Sequence, residues 1–345
     1  MYSFCPVTDV AFSDYSSPTS DAFDSSDIYT FAFLPDSSGI CVGGSNGVCK
    51  LFNLGESGSS HPATHLNTFL TQDVVDAPMP CTAISFRPDA YPGQYYDDAP
   101  LNQDYYFLTA FADGSIRQYS TLTGSCFYQA TEEDNQIFAL QYEATGVSFV
   151  TAGKDATVRV YDEETKTLST TLLGHSNRVF AAAFTANSTP TIVSGGWDST
   201  VRVWDVRSGK SELQAYGYSI CSSHALATHP TDAHTIAVAP SKSGQPCAIL
   251  DIRNMSQPVL QLSLNTRATP YTCAFHPSGS LVAAGGSGEE QAHVFAVDSG
   301  EECARVDVGG EGVYGVGWSP DGRWLGACGK ASRMGAVHAS LGSSV

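Results

Sequence analysis

The sequence predicts an all-β protein built from a repeated unit of short strands. Three observations predict this class. The segment from Gly174 to Asp205 contains three β-rich runs joined by tight turns. Weaker copies of that segment recur along the chain, at spacings between 42 and 56 residues. Long helical patterns are essentially absent. A repeat period near 40 to 50 residues with β-rich units is typical of a ring or array of small sheets.

The clearest unit shows why its segments should be strands. Its runs are rich in β-branched and aromatic residues and are bounded by Gly, Asp, Asn and Ser, as strands joined by tight turns should be. Its landmarks, in chain order, are Gly174-His175, the run Val179 to Phe184, the run Thr191 to Gly195, the turn Trp197-Asp198-Ser199 and the run Val201 to Val206.

The copies align in two independent registers. In each copy the first strand ends in a bulky residue, usually before a proline turn: Phe33, Phe86, Tyr142, Phe184, Thr228, Phe275 and Trp318. The third strand has its own landmark: Phe52, Tyr119, Tyr161, Trp204, Leu250, Phe295 and His338. Because both registers give the same period, we predict seven units, spanning residues 28–70, 80–130, 136–173, 178–216, 220–264, 269–308 and 312–345.

These landmarks, with Gly-His at the start and Trp-Asp at the end of the best unit, resemble the WD40 family of β-propellers. The resemblance implies a single seven-bladed propeller over residues 1–345. A lone blade cannot bury both of its faces, so stacking in a ring supplies the core.

The resemblance also implies how the ring closes. The seventh unit lacks an outer strand, while the β-rich start from Val7 to Phe12 has no partner of its own. In the family, the N-terminal segment completes the last blade, and we expect residues 1–27 to do so here because closure removes two exposed sheet edges. The alternative is that residues 1–27 form a disordered acidic tail.

Four polar residues of the best unit have a structural role in the family. The resemblance implies that His175, Ser194, Asp198 and Trp204 form a hydrogen-bonded tetrad, and their donors and acceptors suit that role. The third unit keeps Thr151 and Asp155 but has Tyr161 in place of Trp and Glu133 at the histidine position. We therefore expect only the fourth blade to form the complete network.

Composition limits the partners and the location. The net charge is −18 and the pI is about 4.6, which argues against nucleic acid or an anionic membrane as a direct partner. No apolar run is long enough to span a bilayer, and the N-terminus lacks signal-peptide features. The ten cysteines contain no CxxC pair, as expected for reduced thiols. We expect a cytoplasmic protein, with cytoskeletal or nuclear location as alternatives, and not a secreted one.

Motifs that could carry catalysis or bind metal are weak. Gly43 to Gly47 fits G-x-S-x-G, but it falls in a predicted hairpin and not in the strand-to-helix turn that a nucleophile needs. Cys221, His224, His229 and His234 fit no standard zinc spacing. We expect no catalytic residue, cofactor or metal.

The sequence therefore predicts a non-catalytic scaffold that binds other proteins as a subunit of a hetero-oligomeric complex. In WD40-like proteins the top face is the usual platform, which here gives Asp27, Gln136, Lys154, Arg178 and Trp197. The insertions 55–79 and 90–104 break the period. The second insertion offers Tyr91, Tyr95 and Tyr96 as a docking loop, or is a surface loop without a role.

The acidic charge favours partners with basic segments. An alternative function is a peptide reader that recognises a short basic or modified motif at the central channel. An enzyme would need a site assembled from residues distant in the sequence.

Overall fold

A computed structural model describes most of the chain. It covers residues 3–5, 9–11, 28–54, 64–69, 79–88, 104–186, 191–264, 268–288, 290–307, 312–329 and 333–340. Within these ranges the regular structure consists of β-strands, and no helix long and apolar enough to cross a membrane occurs there.

Six antiparallel sheets have four strands each, and each is formed by consecutive strands. Sheet 1 contains β3 (Ile28–Phe33), β4 (Gly39–Gly44), β5 (Cys49–Asn53) and β6 (Thr64–Phe69). Sheet 2 contains β7 (Cys81–Phe86), β8 (Tyr106–Phe111), β9 (Ser115–Ser120) and β10 (Cys126–Thr131). Sheet 3 contains β11 (Ile137–Tyr142), β12 (Ser148–Gly153), β13 (Thr157–Asp162) and β14 (Leu168–Leu173).

The next three sheets repeat this order. Sheet 4 contains β15 (Val179–Phe184), β16 (Thr191–Gly196), β17 (Thr200–Asp205) and β18 (Lys210–Tyr216). Sheet 5 contains β19 (Leu226–Thr228), β20 (Thr235–Val238), β21 (Cys247–Asp251) and β22 (Leu260–Leu262). Sheet 6 contains β23 (Thr269–Phe275), β24 (Leu281–Ser287), β25 (Gln291–Ala296) and β26 (Glu302–Asp307).

The remaining strands form a sheet of a different kind. β27 (Val313–Trp318), β28 (Trp324–Gly329) and β29 (Arg333–Ser340) are joined by β1 (Ser3–Cys5) and β2 (Asp9–Ala11) in one five-stranded sheet. Both N-terminal strands pair antiparallel with β29. The sequence predicted seven regular blades. The structure instead has six blades of four strands each, and the last predicted unit is a composite because the chain supplies its outer strands from the N-terminal segment.

The first strand of each sheet lies innermost and contacts the first strand of the next sheet. Hydrophobic side chains fill the space between neighbouring sheets: Val158 and Val160 of sheet 3 pack with Ile192 and Trp204 of sheet 4. Each sheet therefore buries its faces against its neighbours, which is how stacked repeats obtain a core. The predicted all-β propeller is confirmed.

Candidate protein-binding face

The four predicted tetrad side chains of sheet 4 form one hydrogen-bonded chain. His175 Nδ1 lies 2.7 Å from Asp198 Oδ2, and His175 Nε2 lies 2.7 Å from Ser194 Oγ. The Trp204 indole N–H donates to Ser194 Oγ at 2.8 Å. The Asp198 carboxylate accepts, so His175 carries its proton on Nδ1 and accepts from the Ser194 hydroxyl through Nε2. The turn of Asp198 is thereby tied to the buried ring of Trp204.

The charge of Asp198 is fixed by this arrangement. Burial raises the pKa of the carboxyl, but hydrogen bonds from His175, the Thr200 hydroxyl and the Ser176 amide together outweigh it and hold the pKa well below its usual range. Hydrogen bonds to the charged form have this effect in general. Asp198 therefore carries a negative charge at physiological pH. It directly follows Trp197 in the turn.

Sheet 3 contains a second network that the sequence analysis missed. Glu132, and not the aligned Glu133, lies at the histidine position and is buried. Its carboxylate accepts from Thr151 at 2.6 Å, from Tyr161 at 2.9 Å and from Asn135 at 2.6 Å. The sequence analysis expected only sheet 4 to form the complete tetrad, and the network of sheet 3 is built from other residue types. In sheet 3 a carboxylate with several acceptor sites takes the place of the imidazole. The sequence analysis missed Glu132 because its alignment was shifted by one residue, to Glu133.

The predicted top-face residues meet in pairs at one end of the sheets. The Trp197 amide donates to the Arg178 carbonyl at 2.9 Å, and the Lys154 amide donates to the Gln136 carbonyl at 2.9 Å. We use the term top face for this end, where the turn before the third strand meets the start of the first strand. Of the other predicted binding residues, Asp27, Tyr91, Tyr95 and Tyr96 lie outside the described residues.

Trp197 is the most prominent side chain of the predicted set. It is 45% exposed, the Arg178 guanidinium lies 5.1 Å above its ring centroid, and its ring centre is 5.1 Å from that of Phe180. Phe180 in turn stacks on Phe138 of sheet 3 at 4.4 Å. The half-exposed indole is thus held by a cation and by a tilted aromatic neighbour that itself stacks on the next sheet.

A repeated backbone irregularity places further side chains at the same end. In six first strands the pairing with the second strand shifts by one residue near its start, which is a β-bulge. Such bulges re-aim side chains at the rims of sheets. The residues at these shifts are Tyr29, Thr82, Phe138, Phe180, Tyr271 and Tyr314.

All six of these residues line a cavity of about 480 Å³, which we call the channel mouth because its walls are the starts of the innermost strands. The sequence analysis did not name this lining, which lies two residues after predicted positions such as Gln136 and Arg178. The signal that could have found the lining was the aromatic residue recurring two positions later in five sheets.

The histidines of the weak metal-like motif contact neighbouring sheets. His229 Nε2 lies 3.1 Å from the Gly279 carbonyl oxygen of the next sheet, and His224 stacks on Phe31 with ring centres 5.8 Å apart. The described residues contain no cluster of His, Cys, Asp or Glu placed to hold a metal ion. Gly43 to Gly47 spans the turn between β4 and β5, and a strand follows it.

The chain is similar to one family model and to several individual proteins. Residues 166–205, which include sheet 4 up to its third strand, match the family model described as WD domain, G-beta repeat. Among similar proteins, Pre-mRNA-processing factor 19 homolog 2 of Arabidopsis thaliana is 28% identical over 51% of this chain and 33% of its own length.

THO complex subunit 6 of Homo sapiens is 33% identical over 28% of each chain. Serine-threonine kinase receptor-associated protein of Dictyostelium discoideum is 26% identical over 62% of this chain and 70% of its own length. This chain thus covers a third or less of the length of the first two relatives. The family match falls on the segment that holds the tetrad, so this part of the chain is similar to a WD repeat.

Proposed function

We propose that this protein is a non-catalytic scaffold that binds other proteins through its top face, as a subunit of a larger assembly. The observation that carries the proposal is Trp197, which is 45% exposed and yet fixed by Arg178 and Phe180. Trp and Arg dominate the binding energy of protein interfaces. Pre-ordered anchors also lose less entropy on binding.

Two further observations support a role in a protein complex. One relative is named as a subunit of the THO complex, and we transfer only the general role, a complex subunit, to this chain. The net charge of −18 favours partners with basic segments, since opposite potentials steer association. It disfavours direct binding to nucleic acid. We place the protein inside the cell, in the cytoplasm or the nucleus.

We also infer that the five-stranded sheet closes the ring. β27 contacts β3 of sheet 1, and Phe31 of sheet 1 packs in one cluster with Trp324 and Cys328. The Asp321 amide donates to Ser37 Oγ at 3.1 Å across the same junction. A closed ring holds the top-face residues of neighbouring blades in register.

The proposal is tested by affinity purification of the tagged full chain, with mass spectrometry to identify the bound proteins. Trp197→Ala and Arg178→Ala should each reduce recovery of the main partner, by more than tenfold in affinity if each side chain contributes about 2 kcal/mol. Leu173→Ala is the matched control, because Leu173 is 70% exposed on the outer strand of sheet 3. Equal recovery with all three variants would refute the top-face assignment.

A deletion of residues 90–103 belongs in the same experiment. These residues carry the predicted tyrosine-rich docking loop. Loss of the partner with this deletion alone, while Trp197→Ala still binds, would move the interface to sheet 2.

A further inference from the structure

At the end of the sheets opposite the top face, a histidine ring connects each of two sheets to the next. The His229 Nε2 of sheet 5 lies 3.1 Å from the Gly279 carbonyl oxygen of sheet 6. The His276 Nε2 of sheet 6 lies 3.1 Å from the Gly322 carbonyl oxygen of the five-stranded sheet. Both histidines directly follow the first strand of their sheet and precede a proline. The same contact is therefore made at two consecutive junctions.

Each ring lies directly against the backbone of the glycine that it contacts. Both glycines have a left-handed backbone, with φ of 75° at Gly279 and 73° at Gly322. A Cβ at Gly279 would collide with the ring of His229, and a Cβ at Gly322 would collide with the ring of His276. The two glycines are therefore matched to the two histidines.

The hydrogen bonds around each ring require its neutral form. A carbonyl oxygen only accepts, so Nε2 carries the ring proton in both histidines and Nδ1 is left as an acceptor. The Asp232 amide donates to His229 Nδ1 at 2.9 Å, and the Ser278 amide donates to His276 Nδ1 at 3.1 Å. A second proton, on Nδ1, would face these N–H groups, which cannot accept it.

The two histidines differ in one further partner. The Ser278 hydroxyl oxygen lies 2.7 Å from His276 Nδ1, and it can turn to accept a proton there. The contacts of His229 Nδ1 within the described residues are both amides, those of Thr231 and Asp232. We therefore expect His229 to tolerate a second proton less well than His276 does.

Few charged groups of the described chain face His229. Its own turn carries Asp232 and His234. The oxygens of the Asp232 carboxylate already accept from the Thr235 hydroxyl at 2.6 Å and from the His234 amide at 3.0 Å. The turn of sheet 6 against which the ring packs, residues 276–280, has His276 as its titratable group. The carboxylate that would favour a protonated His229 is thus held by other donors.

The turn that packs against His276 carries Asp321 and Arg323, whose charged groups lie 3.7 Å apart. Burial lowers the pKa of His276 and outweighs the Gly322 carbonyl and the Asp321 charge, which raise it. The folded state therefore favours the neutral ring. This contribution to stability is complete above the unfolded pKa of about 6.5 and is lost as the pH falls from there toward the lower folded value.

His175, at the top face, has the opposite surroundings. Its two ring nitrogens lie beside the Asp198 carboxylate and the Ser194 hydroxyl oxygen, and both of these can accept a hydrogen bond. A second proton on His175 would therefore find an acceptor, whereas one on His229 would face amides. Acid should act on the end of the sheets away from the top face.

We propose that His229 and His276 form an acid-sensitive latch, which holds sheet 5, sheet 6 and the five-stranded sheet together and opens when the rings gain a second proton. A ring protonated on Nδ1 must turn away from the amide that faces it, and its Nε2 then leaves the glycine carbonyl. The latch is a property of the fold and does not depend on which surface binds a partner.

The test is hydrogen exchange of the full chain, measured by mass spectrometry at pH 7.5 and pH 5.5 and expressed as protection factors. Protection of the turns at residues 229–235 and 276–281 should fall at least tenfold at the lower pH. The equivalent turn of sheet 3, residues 143–148, contains no histidine and should change less than twofold. Equal protection at both pH values, or an equal loss in all three turns, would overturn the proposal.

Variants assign the response to the two rings. Glutamine also donates and accepts but does not titrate, so His229→Gln and His276→Gln should each reduce the change in their own turn to less than twofold. His234→Gln is the matched control and should keep the full change. If a latch variant does not fold, the comparison of the three turns in the wild-type protein still decides. His224→Phe should also keep the local change, and its loss there would assign the response to His224 and overturn the proposal.

Discussion

Single polar side chains hold the turn of sheet 4 that carries Trp197. Ser194 and Asp198 both depend on His175, because its two ring nitrogens are their partners at 2.7 Å. A buried group that loses its partner costs about 1–3 kcal/mol. We therefore expect residues of the tetrad to affect the proposed partner binding only through the position of the turn.

We predict that His175→Ala lowers the free energy of unfolding by about 1–3 kcal/mol, because Ser194 and Asp198 each lose one buried hydrogen-bond partner. Urea denaturation at pH 7 measures this. Ser176→Ala is the control, since only the backbone amide of Ser176 contacts Asp198. A His175→Ala variant as stable as the control would show that the chain of hydrogen bonds has no structural role.

His224 should make the protein sensitive to acid. Burial lowers the pKa of this histidine to about 4, whereas an unfolded chain gives a histidine pKa of about 6.5. The folded state therefore favours the neutral ring. Its contribution to stability is complete above the unfolded pKa and is lost as the pH falls from 6.5 toward 4.

We predict that His224→Phe reduces the loss of stability between pH 7 and pH 4.5, because phenylalanine can still stack on Phe31 but does not titrate. Unfolding by urea at both pH values gives the comparison. An identical loss in the variant and the wild-type protein would assign the acid sensitivity to other groups.

At the scale of residues, the sequence predicted a role correctly where both the residue type and its position in the repeat matched the family pattern. Gly-His and Trp-Asp are unusual enough to identify the tetrad without a structure. Glu132 was missed for two reasons. It is a carboxylate where the family has an imidazole, and it lies one position before the residue that the alignment selected. Tyr29, Phe138, Phe180, Tyr271 and Tyr314 were missed because alternation along a strand does not show where a bulge adds a residue.

At the scale of elements, the bulge in five first strands follows a residue that pairs with a glycine. Val179 pairs with Gly196, and the bulge follows at Phe180. A Cβ on Gly196 would lie 2.1 Å from the Arg178 carbonyl oxygen. Sheet 6 repeats this geometry, with Gly286 against the Thr269 carbonyl at 2.2 Å. Neither clash can be relieved by a side chain, because backbone atoms oppose it.

We predict that Gly196→Ala and Gly286→Ala each destabilise the protein by about 2 kcal/mol or more, as strained core substitutions do. The backbone must move at the start of the first strand to make room for the methyl group. Differential scanning fluorimetry of both variants measures the effect. Unchanged melting temperatures in both variants would mean that the bulges do not require the close contact between the glycine and the backbone carbonyl.

The N-terminal strands are the other element with a clear test. Deleting residues 1–12 removes β1 and β2, which pair with one edge of β29, and leaves that edge unpaired, which invites association between chains. We predict a lower melting temperature and dimers or aggregates, seen by size-exclusion chromatography with light scattering. A monomer that melts like the full chain would show that these strands are dispensable.

At the scale of the whole molecule, the period of the sequence predicted the propeller because each sheet repeats the same strand landmarks. The composite nature of the last sheet was foreseen only in outline. Within the predicted strand from Val7 to Phe12 the structure has Asp9–Ala11, and a second short strand, Ser3–Cys5, lies before the predicted range. Pairing across the length of a chain leaves no periodic signal, so the sequence alone could not fix those boundaries.

The central claim, that the top face is the protein-binding surface, is tested most directly by site-specific photo-crosslinking in cells. A benzophenone amino acid replaces Lys154, which is exposed beside Trp197's sheet, or Phe127 on the outer strand of sheet 2. We predict a covalent adduct with the main partner from position 154 and none from position 127. An adduct from position 127 alone would contradict the account and place the binding surface on the rim of the propeller.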